Sequence, residues 1–302
     1  MKFLTFETKE IHPKAIQILK DNGFSVATEL SSADDKKEIE AFLIRGYTKI
    51  TPSLLNEYPS LKYVLRAGVG LDNVDVNACE KRGIKVINSP GSNANAVSEL
   101  VVCFMILLLR RIPVQMNLLR NNKWRSKKEI GFELKNKVIG FIGCGAIGKL
   151  ATEKLINFGV KEILAFDPYL DKETLSKRRA NKCELDEVLK KSDVITLHLP
   201  LNNETRNLIN KEKLALTKKG ACIINTSRGG IINETDLIET LRTGHIGGAA
   251  LDVFETEPNP RKEFLEFPNV VLTPHIGGFS EEGNEAMATQ VVENFLKIYK
   301  PN

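Results

Sequence analysis

The sequence predicts an α/β protein made of two doubly wound parallel sheets. Three observations point there. Short β-branched runs alternate with amphipathic helical stretches along the chain, the pattern of βαβ units. A glycine-rich motif falls where one such run meets a helix, a place where open parallel sheets bind ligands. The length, 302 residues, suits two domains at ~150 residues each.

The first ninety residues hold five strand candidates: MKFLTFE (1–7), FSVATEL (24–30), AFLIRG (41–46), KYVLRAG (62–68) and IKVINSP (84–90). Helical stretches HPKAIQILKDNG (12–23) and VDVNACEKRG (74–83) lie between them, the latter closed by Gly83. A long apolar helix is expected from Ala96 to Leu119. Its most apolar part, Leu100 to Leu109, is about half the ~20 residues a membrane span needs, so it reads as a buried core helix. Six strands follow: Val138–Gly143, Glu162–Asp167, Asp193–Leu199, Ala221–Ser227, Gly247–Phe254 and Asn269–His275. Helices are expected over Ile147–Phe158, 184–192 and 233–244, and from Glu281 onward, where Val291, Val292, Phe295, Ile298 and Tyr299 share one face.

Composition narrows the function. Hydrophobic residues are 42% and charged residues 27%, as in an ordinary globular protein. The 43 Lys and Arg against 38 Asp and Glu give a formal +5, too small and too evenly spread to suggest nucleic acid. Lys177-Arg178-Arg179 reads as a solvated loop. The opening MKFLTFETKEIHPK lacks the apolar core and cleavage site of a secretory leader. Five cysteines without a CxxC pair suggest reduced thiols, a cytoplasmic location and no metal site.

Gly143-Cys144-Gly145-Ala146-Ile147-Gly148 is a GxGxxG that follows a strand and opens a helix. Gly143 permits the tight turn, Gly145 lets a pyrophosphate approach the backbone, and Gly148 lets the helix pack closely. Asp167 ends the next strand, where a carboxylate accepts hydrogen bonds from an adenosine ribose and repels a 2′-phosphate. No arginine follows immediately, so NAD is expected over NADP. Cys144 reads as a plain loop residue.

Arg228, Glu257 and His275 lie at the carboxyl ends of later strands. Histidine titrates near neutrality and suits removal of a hydroxyl proton during hydride transfer. A carboxylate paired with it would support its charged form, and an arginine fork would bind a substrate carboxylate. Spacing alone does not separate Glu257 from Glu255, and His12, His198 and His245 are as compatible with structural roles.

RAGVGLDNVD (66–75), GFIGCGAIG (140–148), FDP (166–168), HLPL (198–201), NTSRGG (225–230), ALDVFETEP (250–258) and PHIGG (274–278) together resemble the D-isomer-specific 2-hydroxyacid dehydrogenase family. The resemblance implies a Rossmann NAD domain (93–280) inserted into a flavodoxin-like substrate domain (1–92 and 281–302). It implies catalytic roles for Arg228, Glu257 and His275. It carries cofactor contacts to Ala146, Ile147, Asp167, Leu199, Thr226, Ser227, Asp252, Gly277 and Gly278, and assigns the substrate carboxylate to Val69 and Gly70.

Within the family the likeness is strongest to short forms of the branch that oxidises D-3-phosphoglycerate, through LIRGYTKIT (43–51), VLRAGVGLDNVD (64–75) and NANAVSEL (93–100). There Arg45 and Arg66 would approach the substrate phosphate. Val69, where a polar residue is usual, and PHIGGFS depart from the pattern. A glyoxylate or hydroxypyruvate reductase, a D-lactate-type dehydrogenase and an NAD-sensing corepressor-like protein stay open. The implied partners are a small anionic 2-hydroxy acid and a second copy of the chain, joined through the 96–119 helix, with no nucleic acid or membrane.

Overall fold

The computed structural model describes residues 1–30, 32 and 34–299. The chain opens with β1 (Lys2–Leu4), α1 (Pro13–Asp21), β2 (Ser25–Ala27), β3 (Ile39–Ile44), α2 (Pro52–Asn56), β4 (Tyr63–Arg66), α3 (Val76–Lys81) and β5 (Lys85–Asn88). It continues through α4 (Ala94–Leu109), α5 (Ile112–Arg120), β6 (Val138–Ile142), α6 (Ala146–Leu155), β7 (Glu162–Phe166), α7 (Lys172–Lys177), β8 (Asn181–Lys182) and α8 (Leu185–Lys191). Then come β9 (Val194–Leu197), α9 (Lys211–Ala215), β10 (Ala221–Asn225), α10 (Glu234–Arg242), β11 (Ile246–Leu251), β12 (Val270–Leu272) and α11 (Glu281–Ile298). Two compact units result: Met1–Asn93 with Gly278–Asn302, and Ala94–Gly277.

In the first unit five parallel strands are ordered β2-β1-β3-β4-β5, the flavodoxin-like arrangement. Both faces are buried, so alternate residues of each strand feed different cores. Phe3, Leu43 and Leu65 pack with Leu19 of α1 and with Val291, Val292 and Phe295 of α11. Leu4, Phe42 and Val64 pack on the other side with Cys79 and Ile84. Phe3, Phe24 and Phe295 meet edge to face at 5.3–5.6 Å. Ile298, the last residue of α11, is 44% exposed instead of joining that face, whereas Tyr299 just beyond it packs against Phe295.

The second unit has seven parallel strands in the order β12-β11-β10-β9-β6-β7-β8, a Rossmann sheet with one strand added. The chain winds outward from β6 to β8, then crosses to β9 and winds the other way. The order therefore reverses between β6 and β9, where such sheets hold their ligands. The seventh strand, β8, pairs only Asn181 with Leu164 and Lys182 with Ala165, and two residues leave no periodicity to read. Asn269–His275 shortens to three strand residues, since Pro274 has no N–H for a ladder and His275 takes a positive φ.

The helix expected from Ala96 to Leu119 is two helices. Pro113 cannot donate to the Leu109 carbonyl and its ring would crowd it, so the helical ladder breaks there. Arg111 turns the chain at φ 52°, and the Leu109 carbonyl accepts from Phe132 N at 2.7 Å instead. α4 itself is the buried element its composition suggested, with Val101, Phe104 and Met105 almost fully enclosed. No helix among the described residues is long and apolar enough to cross a membrane.

Close approach explains one central residue. A Cβ on Gly140, in the middle of β6, would lie 2.3 Å from Ser192 Oγ and 2.7 Å from Val188 Cγ1. Gly140→Ala is expected to cost ~1–3 kcal/mol by overpacking, read as a lower urea midpoint. Val188→Ala in the same chain should recover part of the loss.

Candidate active site and nucleotide loop

The loop after β6 is shaped by its glycines. Gly143 takes φ +83°, and a Cβ there would meet the His198 carbonyl at 2.5 Å. Gly148 is closed in by Cys144, whose Sγ would lie 3.1 Å from an added Cβ, so its close packing is against the loop's own turn. Gly145 differs, because a Cβ there would meet nothing within 4 Å. It heads α6 without a side-chain cap, leaving the helix N-terminus and its partial positive charge available. Thr226 Oγ1, in the loop after β10, is buried without a hydrogen-bond partner. Open space, uncapped N–H groups and an orphan hydroxyl suit a dinucleotide. Leu199 lines this loop, its Cδ2 2.9 Å from the position of a Cβ on Gly143.

Asp167 is only 8% exposed. Its Oδ2 accepts from Cys144 N at 2.9 Å, and its Oδ1 accepts from Tyr169 N at 3.0 Å and Leu170 N at 3.2 Å. The carboxylate therefore holds the glycine loop and the turn after β7. Arg178, which the sequence places in a solvated charge run, is half-buried. Its Nη1 donates to the carbonyls of Cys144 and, at 3.1 Å, of Gly145. Burial pushes the Cys144 thiol up to about 11, against the pull of the Arg178 charge and with a smaller push from Asp167.

The loop after β10 is organised by Asn225, a residue the sequence reading passed over although Asn-Thr-Ser-Arg-Gly is turn chemistry. Its Oδ1 accepts from Ser227 N at 3.0 Å and Ser227 Oγ at 2.8 Å, and its Nδ2 donates to the Arg228 carbonyl at 2.8 Å. Gly229 lies so close to the next loop that a Cβ would fall 1.8 Å from the Phe254 carbonyl oxygen. Only glycine lets the Arg228 and Glu257 loops approach this far.

Asp252 ends β11 at 1% exposure. Oδ1 accepts from Thr273 Oγ1 at 2.6 Å and Ile276 N at 2.8 Å, while Oδ2 accepts from Gly277 N at 2.7 Å. The Asp252 backbone carbonyl takes His275 N at 2.9 Å. Burial pushes this carboxyl up, opposed by those donors and by the His275 charge. The turn it anchors carries His275 at φ 54°.

His275 Nδ1 lies 2.8 Å from Glu257 Oε2, and Glu257 Oε1 accepts from Phe254 N at 3.1 Å. Burial works to raise the Glu257 carboxyl. The hydrogen bond and charge of His275, the Phe254 N–H and the Arg228 charge outweigh it and hold Glu257 below its ordinary range. Glu255 is used otherwise: its Oε1 accepts from Glu234 N at 3.0 Å, and its own N–H donates to Glu234 Oε1 at 2.7 Å. That exchange separates two glutamates that spacing could not.

The other histidines have structural partners. His12 caps α1, His245 Nε2 sits 3.1 Å from both Thr217 Oγ1 and the Leu214 carbonyl, and His198 bonds Thr196. Burial pushes His198 down to about 3, so its ring, stacked on Phe141, is neutral.

In the first unit, Arg66 Nη1 would lie 1.6 Å from a Cβ on Gly68, so its guanidinium covers the backbone leading into Val69 and Gly70. Asn88 Nδ2 holds the Val69 carbonyl at 2.7 Å. Arg45 is tied to the Glu10 carbonyl at 3.1 Å and to Asn284 Oδ1. Gly278 belongs to this unit, against Asn93, whereas Gly277 belongs to the other.

Residues 102–277 match the model of the D-isomer-specific 2-hydroxyacid dehydrogenase NAD-binding domain. A D-3-phosphoglycerate dehydrogenase of Bacillus subtilis is 39% identical over 94% of this chain and 55% of its own length. A hydroxypyruvate reductase of Thermotoga maritima is 39% identical over 86% of this chain and 85% of its own. The crystal structure of D-lactate dehydrogenase from Aquifex aeolicus with NAD and lactic acid superposes with a TM-score of 0.83 at 29% identity, covering 98% of this chain and 96% of that one. The chain thus spans about half the length of the phosphoglycerate dehydrogenases it matches.

Glu234 supplies a pH test of the loop. It is 4% exposed and its Oε2 is buried without a hydrogen-bond partner. Burial pushes its carboxyl up, against the Glu255 N–H and with repulsion from Glu255. A raised carboxyl favours folding while protonated, and that support is lost as pH rises through the folded value. Glu234→Gln should therefore unfold at a higher urea midpoint than wild type at neutral pH. The gap should close as pH falls below ~4, the ordinary carboxylate range.

Proposed function

The chain belongs to the D-isomer-specific 2-hydroxyacid dehydrogenase family, and on that premise we propose that it is an NAD-dependent enzyme oxidising D-3-phosphoglycerate to 3-phosphohydroxypyruvate. The 2.8 Å His275–Glu257 pair, beside the Arg228 charge, carries this reading. With Nδ1 turned to Glu257, Nε2 is left to receive the hydroxyl proton. Glu257 orients the ring and compensates the imidazolium that forms. Arg228 binds the substrate carboxylate and polarises the C2–O bond. NAD, when bound at the glycine loop, supplies the acceptor for the C2 hydrogen and its electron pair. The O–H bond gives its proton to Nε2 as C2=O forms, and reduction reverses both transfers. Ala146, Ile147, Thr226, Ser227, Leu199, Asp252, Gly277 and Gly278 are proposed as the cofactor's surroundings.

Arg66 lies beside Val69 and Gly70 and is the arginine we assign to a substrate phosphate; Arg45 is tied to Glu10 and Asn284. That commitment, together with the length match to a hydroxypyruvate reductase, favours a second reading: reduction of unphosphorylated hydroxypyruvate or glyoxylate. We also propose a homodimer and a cytoplasmic location. Met116, Leu119, Trp124, Ile130 and Phe132 are each 48–77% exposed on and after α5, an apolar surface suited to a second copy. All five cysteines are free.

His275→Ala should lower kcat ~10²–10⁴-fold, the worth of a positioned acid/base, while NADH binding measured by fluorescence persists. In the oxidative direction, Glu257→Gln should move the acidic limb of the pH–rate profile to lower pH, since the imidazolium loses its carboxylate. Turnover within a few-fold of wild type for His275→Ala would remove it from the mechanism.

Arg66→Ala should raise KM for 3-phosphoglycerate by ~10–150-fold, the value of one charge-assisted hydrogen bond, and change KM for hydroxypyruvate far less. A wild type that already prefers hydroxypyruvate or glyoxylate in a substrate panel would establish the second reading instead.

A further inference from the structure

We propose that Arg178 is a cofactor-specificity residue that accepts a 2′-phosphate, so that the chain binds the phosphorylated dinucleotide NADPH as well as NADH. The inference rests on the dehydrogenase reading and extends it to the adenosine end of the cofactor.

From sequence, discrimination rests on Asp167 alone, a carboxylate that repels a 2′-phosphate where no arginine follows. The structure changes both parts of that expectation. Asp167 is buried and gives its two oxygens to three backbone N–H groups, so much of its charge is neutralised by the loop and turn it holds. Arg178 arrives eleven residues later, from the end of α7, and donates Nη1 to the Cys144 and Gly145 carbonyls. Asp167 holds the N–H of Cys144 and Arg178 holds its C=O. The cation and the carboxylate thus bracket one residue, whose N and O atoms lie only ~3–4 Å apart by backbone geometry.

The guanidinium and the carboxylate therefore meet the same loop residue, at the end of the proposed cofactor site where a ribose would lie. Arg178 presents five N–H donors in a planar fork, and among the described residues only Nη1 is used in hydrogen bonds. Gly145, whose carbonyl it touches, borders open space. A second cation stands at the same turn: Lys182 Nζ is 2.7 Å from the Leu170 carbonyl, and Asp167 takes the Leu170 N–H. Lys177 is paired with Glu173 and adds little. Asp171 at the same turn faces Lys182, so Arg178 is the cation that carries the argument, and the open side of its fork suits bidentate contact with a phosphate.

The test is direct binding to the whole protein. NADH and NADPH are titrated by fluorescence, and 5′-AMP and 2′,5′-ADP by calorimetry, on wild type, Arg178→Ala and Arg178→Lys. Wild type should bind NADPH within ~10-fold of NADH. Arg178→Ala should raise the ratio of NADPH to NADH dissociation constants at least ~10-fold, the lower value of a charge-assisted bond, and do the same for 2′,5′-ADP over 5′-AMP. Arg178→Lys should fall between them. If the ratios do not move because both members of each pair weaken equally, Arg178 is only a loop clamp and the proposal is overturned. Wild type that binds NADH but neither NADPH nor 2′,5′-ADP overturns the proposal while sparing the dehydrogenase reading. Failure to bind either dinucleotide overturns both. Should Arg178→Ala misfold by circular dichroism, the Lys variant carries the comparison.

Discussion

A single buried carboxylate sets the geometry of the His275–Glu257 pair. Asp252 stands at the end of a central strand, and each of its oxygens is used to turn the chain that follows β12. The turn forces His275 to φ 54°, a conformation few side chains adopt without cause. The four hydrogen bonds Asp252 receives, at its carboxylate and carbonyl, together with His275 N to the Thr273 carbonyl at 3.0 Å, hold His275 towards Glu257. An unpaired carboxylate at this depth would be costly, and its complete set of donors makes the site stable and directional together.

The same economy governs the other two loops. Parallel pairing of β9, β10, β11 and β12 brings their carboxyl ends to one edge, and the loops there press together as far as a glycine permits. Asn225 shapes the Arg228 loop, and the exchange between Glu234 and Glu255 fixes the start of the Glu257 loop. These contacts are between backbone and polar side chains in a partly buried region, where hydrogen bonds are stronger than in water and orphaned groups costly. The arrangement explains why so many small and polar residues sit at the ends of apolar strands.

Periodicity made most of the fold legible, because both sheets are covered on both faces and their strands read as apolar runs. It failed where elements are short or where one residue breaks a pattern. β8 offers two residues, and Pro113 divides an otherwise continuous helical run. Motif reading reached Arg228, His275 and the glycine loop. The distinction between Glu255 and Glu257 needed the resemblance, and the geometry then supplied its physical basis. Two roles were missed for different reasons. Asn225 acts through local bonds to Ser227 and Arg228 that any turn asparagine could make, and Arg178 reaches a loop 33 and 34 residues earlier in the chain.

Cys144 shows what burial means for the chemical durability of this loop. With its thiol at about 11, roughly one molecule in ten thousand carries the thiolate at neutral pH, against a few per cent for an ordinary cysteine. Peroxides and electrophiles attack the thiolate. The sulfur inside the loop after β6 is therefore sheltered from oxidation, as is Cys222, whose thiol burial pushes up to about 12, whereas Cys103 is exposed on α4. Reagents that take an exposed thiol therefore find little thiolate inside the loop after β6.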